Sequence, residues 1–139
     1  MEKQIATNLE QPMMDRGTQK IRNFRDLEVW KLGKKIVVAI YEVTQSFPRD
    51  EFYGFIAQMR RAAVSIPSNV AEGFNRRHNA EYRQFLYVAL GSCAELETQI
   101  EIAHDLRFVM IDGRNTLLEM LDHESKMLRN LIKRLQSRS

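Results

Sequence analysis

The chain has 139 residues, 44% of them apolar and 28% charged, which leaves room for one domain and excludes wholesale disorder. Six Gly and three Pro are too few for a turn-dense β-sandwich, and a single Cys excludes an internal disulfide framework or a multi-Cys zinc site within one chain. A formal charge of +3 and a pI of 9.2 are compatible with nucleic-acid binding without establishing it.

Residues 1–23 mix Gln, Asn, Thr, Pro and Gly with charges and carry no sustained periodicity, so they read as a flexible N-terminal tail before a domain over 24–139. Met13-Met14 is a second possible start. The segment MEKQIATNLEQPMMDRG has no apolar signal-peptide core. No run of about 18 apolar residues offers a membrane span, so a cytoplasmic protein is expected.

From residue 27 to 46 the spacing predicts a helix: Val29, Gly33, Ile36, Ile40, Val43 and Phe47 recur at steps of three and four. Trp30, Val37 and Tyr41 widen its face. Pro48 then forces a turn. A second helix is expected over 51–73, with Phe52, Phe55, Ile56, Met59, Ala63, Ile66 and Val70 on one side. Pro67 lies inside it, and a kink is expected there because the stripe continues in phase. Gly73 suits the helix end. The third pattern covers 80–107, with Asn79 as its cap and Tyr82, Phe85, Leu86, Ala89, Cys93, Leu96, Ile100 and Ala103 as its stripe. The fourth covers 112–135, through Leu117, Leu121, Leu128, Leu131, Ile132 and Leu135, capped by Asp112 or Thr116. Short connections make neighbours antiparallel, so the expected fold is an all-α, up-down-up-down four-helix bundle.

Several segments combine at fixed spacing: Phe24-x-x-Leu27-x-Val29-Trp30, Gln58-x-Arg60-Arg61-Ala62-Ala63, Ser65-Ile66-Pro67-x-Asn69-Val70-Ala71-Glu72-Gly73, Arg76, and Gly91-Ser92 before Glu95-Leu96. Together they resemble the bacterial four-helix-bundle proteins encoded by intervening sequences in 23S ribosomal RNA genes. The accessory variability proteins of diversity-generating retroelements are a more distant branch. The resemblance implies a left-handed antiparallel bundle, a ring-like homopentamer, RNA or DNA binding, and no catalytic chemistry or cofactor. His78 departs from the Ser or Thr that caps the third helix in that family, and His caps poorly, so the start is expected to move to Asn79.

Five arginines are the nucleic-acid-binding candidates: Arg60, Arg61, Arg76, Arg77 and Arg83. Guanidinium forks bind phosphate in two-pronged fashion and stack on bases, and five of them near one bundle end or ring opening would form a cationic mouth. Arg60 and Arg61 adjoin an Ala-rich packing face, where pairing with Glu72, Glu95 or Glu97 is the plainer use. Arg76, Arg77 and Arg83 sit in a loop and first turn, where exposure favours phosphate. Five copies of a chain of charge +3 would carry about +15. Lys126, Arg129, Lys133, Arg134 and Arg138 form a second basic stripe that suits a solvated helix C-terminus.

The remaining signals read as structure. Glu101-x-x-His104 has di-iron spacing, but Glu119 and His123 do not complete it, so no metal is expected. Cys93 reads as a buried small hydrophobe. Gly91, Ser92 and Ala94 imply a close helix approach. Extra apolar strips at Tyr53, Ala57, Val64 and Ala71, and at Tyr87, Leu90 and Ala94, exceed what one bundle buries and suggest contacts between copies. Trp30 and Tyr41 read as core or subunit-contact residues before base-stacking ones. The expectation is a non-enzymatic, oligomeric RNA-binding bundle; the alternative is a scaffold that docks a protein such as a reverse transcriptase.

Overall fold

The three- and four-residue spacings do organise four helices: α1 Glu28–Thr44, α2 Ala57–Phe74, α3 Asn79–Asp105 and α4 Ile111–Ser137. The computed structural model describes residues 20–137, and no strand occurs among them. Met13-Met14, Arg138 and most of the expected tail lie outside that range. Within it, Ile21 packs against the core. Asn23 caps a single 3-10 turn, Phe24–Asp26: its side chain accepts from the Arg25 N–H at 2.8 Å. The Asp26 carboxylate accepts from the Arg22 and Asn23 N–H groups, which hold its pKa below the usual value.

Helix α1 packs on α2 and α4, and α3 packs on the same two, the closed square of an up-down-up-down bundle. Ile36, Ile40, Met59, Ile66, Leu86, Leu96, Ile100, Leu121 and Leu128 fill its centre and are fully buried. At one end Phe47, Phe55 and Phe108 close the core, with ring centroids 5.3 to 6.4 Å apart.

Three local features differ from the sequence expectation. Before α2 the chain makes a 3-10 turn, Arg49–Glu51, and a π-turn, Phe52–Ile56. A π-turn holds one residue more than an α-turn, so the register slips. Phe55 and Ile56 face inward, while Phe52 is 48% and Tyr53 is 91% exposed. Secondly, α3 begins one residue early. The His78 carbonyl already accepts from the Tyr82 N–H at 3.1 Å. His78 is therefore the cap position, without a side-chain bond, and Asn79 is the first helical residue. Thirdly, α4 begins at Ile111, and the Met110 carbonyl accepts its first bond from the Arg114 N–H. Asp112 and Thr116 thus lie inside the helix rather than capping it.

Helix α2 runs on through Pro67, whose buried ring faces Gly33 of α1. Proline cannot donate to the preceding turn, and a side-chain chain crosses this point instead. Asn69 Nδ2 donates to the Ser65 carbonyl at 2.8 Å and to Ser65 Oγ at 2.9 Å. Ser65 Oγ shares a 2.8 Å bond with Ser92 Oγ of α3. At the far end of α2, a Cβ on Gly73 would come within 2.9 Å of Phe85 Cβ and Tyr82 Cδ1. Close helix approach therefore occurs at Gly33 and Gly73. It does not occur at Gly91, which is exposed and would present a Cβ to open space.

Candidate nucleic-acid interface

The five candidate arginines divide between the two ends of the bundle. Arg60 and Arg61 sit in the first turn of α2, whereas Arg76 and Arg77 lie in the turn between α2 and α3. About fifteen residues of rise separate Arg61 from Arg76, or about 22 Å along the axis. Within one chain the five guanidinium groups do not meet at one bundle end, because the length of α2 separates Arg60 and Arg61 from Arg76 and Arg77.

Arg60 is bound into the fold. Its Nε donates to Thr44 Oγ1 at 3.0 Å, and its guanidinium lies 4.3 Å above the Tyr41 ring. Thr44 is buried and donates in turn to the Ile40 carbonyl at 2.7 Å. A cation is favoured beside the last carbonyls of α1 by the helix dipole, so Arg60 clasps α2 to the end of α1. Arg83 does the same at the other end: its Nη1 donates to the Leu135 carbonyl at 3.1 Å, near the C-terminus of α4.

Arg61, Arg76 and Arg77 are exposed. None of them, nor Arg60, has a carboxylate within ion-pair distance among the described residues; the ion pairs there are Lys31–Glu28, Arg114–Glu101 and Lys126–Asp122. Arg61 borders a shallow groove with Ser65, Ser92 and Glu95. The Arg76 guanidinium lies 4.6 Å from the centre of the Phe85 ring. That contact orients a fork whose N–H edge remains open to an anion. Arg77 follows it in the chain, with no side-chain partner among the described residues. The Arg76 N–H donates to the Gly73 carbonyl at 3.0 Å, so the tight end of α2 fixes where both arginines emerge. Lys133, on the last turns of α4, adds an exposed cation at this end.

The other chemistry-bearing residues are engaged elsewhere. Arg114 grips Glu101 with two bonds of 2.8 and 2.9 Å. Among the described residues, no three His, Cys, Asp or Glu side chains are grouped closely enough to hold a metal ion. Cys93 is buried, and burial beside Glu124 pushes its thiol up to about 12. Trp30 meets Phe24 edge to face at 5.4 Å and carries Lys34 over its ring.

Two features escaped the sequence reading. Glu124 is fully buried in α4 with neither carboxylate oxygen bonded, and a Cβ on Gly33 would sit 3.1 Å from its Oε2. The outward turn of Phe52, beside a Tyr53 already expected off the core stripe, is the other. Three aromatics within Phe52-Tyr53-Gly54-Phe55 were the available sign, since one helical stripe accommodates only two of them.

The family model of the 23S rRNA-intervening sequence protein matches residues 25–130, most of the bundle. The chain belongs to this family. Its bundle superposes with a TM-score of 0.70 on a protein of unknown function from the S23 ribosomal protein family of Bacteroides thetaiotaomicron VPI-5482. The two are 19% identical, over 76% of this chain and 95% of that one, a likeness of fold. No curated protein matches the chain. In this chain Ser65, Pro67, Asn69 and Gly73 are packing and hydrogen-bonding residues of the α1–α2–α3 contact.

Proposed function

We propose that the protein is an oligomeric RNA-binding bundle that acts by holding phosphates rather than by catalysis. We assign the contact to Arg76 and Arg77, and the observation that carries it is their exposure side by side without a carboxylate partner among the described residues, one of them oriented by Phe85. Arg83 is read as a positioning residue of the same end. Assembly is supported by the outer face of α3, where Tyr87 is 48% and Val88 is 52% exposed one turn before the bare helical surface of Gly91. Exposed apolar surface of this kind marks association sites. Copies arranged around an axis would multiply the arginine turn, and the attraction to a polyanion with it.

The test is RNA affinity as a function of salt for the native chain and for a variant with Arg76→Ala and Arg77→Ala together. Counterion release predicts a steep loss of native affinity from low to physiological salt. The double variant should have a shallower slope, by about 1.4 per engaged subunit on single-stranded RNA. A native affinity indifferent to salt, or a folded double variant that binds as before, refutes the assignment. Loss of assembly in the double variant would give these arginines a structural role instead.

A further inference from the structure

The other meeting of rings and cations lies where α1 ends and the π-turn begins. There the slipped register turns Phe52 and Tyr53 outward as an edge-to-face pair, centroids 4.9 Å apart. An open cavity flanks the pair on each side, of about 400 Å³ beside Arg49 and about 360 Å³ beside Tyr41 and Arg61. Arg60 borders both, fixed over Tyr41 and 6.0 Å from the Phe52 ring. No Asp or Glu among the described residues lines either cavity. An aromatic as exposed as Tyr53, at 91%, contributes little to the stability of its own chain.

The chemistry of this groove selects its occupant. Flat rings and guanidinium planes favour a flat π-system, and three arginines bordering cavities lined by no acid favour an anion. An apolar protein segment would desolvate those cations without pairing them. A second copy presenting the same patch would set arginine against arginine. A nucleotide supplies both a ring and a phosphate.

We infer that this groove is a stacking site for unpaired bases of a nucleic acid, with rings on Tyr53 and Phe52 and phosphates on Arg49 and Arg61. It rests on the nucleic-acid reading above and narrows it to strands with exposed bases, because a duplex keeps its ring faces inside the stack and offers only its backbone.

The experiment compares a fluorescein-labelled oligouridylate with a duplex RNA of equal phosphate count, bound to the full chain and followed by anisotropy. The variants are Tyr53→Ala, Tyr53→Phe and the Arg76/Arg77 double alanine. In parallel, uridine monophosphate alone is titrated while ring resonances of Tyr53 and Phe52 are followed by NMR. Tyr53→Ala should weaken oligouridylate about five-fold or more and leave the duplex unchanged, Tyr53→Phe should retain binding, and the nucleotide should shift both rings. Equal loss on both probes, no loss on either, or unmoved rings overturns the stacking site. If the double alanine abolishes RNA binding while Tyr53→Ala does not change it, this site falls and the phosphate reading stands. If the native chain binds neither RNA, both readings fall, whether or not the nucleotide shifts the rings. A change in native mass on Tyr53→Ala would make the groove a contact between copies and overturn it as well.

Discussion

Glu124 is where a single residue most affects the energetics. The spacing from Leu121 to Leu128 places position 124 on the buried face of α4, so its location was legible; the carboxylate was not, because polarity argues for the surface. With no hydrogen-bond partner and complete burial, the carboxyl is pushed well above its ordinary range. The unfolded chain releases this proton near pH 4.3, the folded chain only at much higher pH. Stability from this group is thus complete below the unfolded value and falls as pH rises toward the folded one, by about 1.4 kcal/mol per pH unit. Glu124→Gln keeps the shape without the charge. Urea melts at pH 5 and pH 8 should therefore show a smaller loss for the variant than for the native chain; equal losses would mean that the carboxyl ionises freely in the folded state. Gly33 and Cys93 lie near it on the other helices, and neither supplies a counter-charge.

At the scale of elements, glycines separate contacts within the chain from surfaces left open. Gly73 ends α2 against α3, and a methyl there would meet Phe85 Cβ and Tyr82 Cδ1 at 2.9 Å. Gly73→Ala should cost about 1–3 kcal/mol by overpacking. The same substitution at Gly91 meets nothing within 4 Å and should stabilise the single chain by up to about 1 kcal/mol through helix propensity. Thermal melts of the two variants should move in opposite directions, and a shared direction would contradict the packing described. The sequence pattern located all four helices, since burial follows the 3.6 period in each. The π-turn was not legible: Phe52 fits the α stripe by count, and only the packing of Phe55 against Phe47 and Phe108 decides that it turns away.

For the whole molecule, the question is what covers α3. Gly91 lies one turn from exposed Tyr87 and Val88, and no part of the described chain outside its own helix would come within 4 Å of a Cβ there. Gly91→Arg should leave the helical circular dichroism intact, because there is space for the side chain, yet lower the native mass to that of one chain. A helical variant of unchanged mass would remove this strip from the proposed contact between copies. The arginines show the same division of labour over a longer distance. Arg60 and Arg83 fasten opposite ends of the bundle through Thr44 and the Leu135 carbonyl, while Arg61, Arg76 and Arg77 remain open.

Periodicity by itself determined that the chain forms four antiparallel helices, because apolar spacing dictates which face leaves water. The fixed spacing of Ser65, Pro67, Asn69 and Gly73 also marked the family, although their reason for being there is a three-helix contact. Tertiary structure alone decided which arginines stay free and how far apart they lie. A guanidinium looks the same in sequence whether it bonds a carbonyl or faces solvent, and that choice depends on which helix end the fold brings beside it.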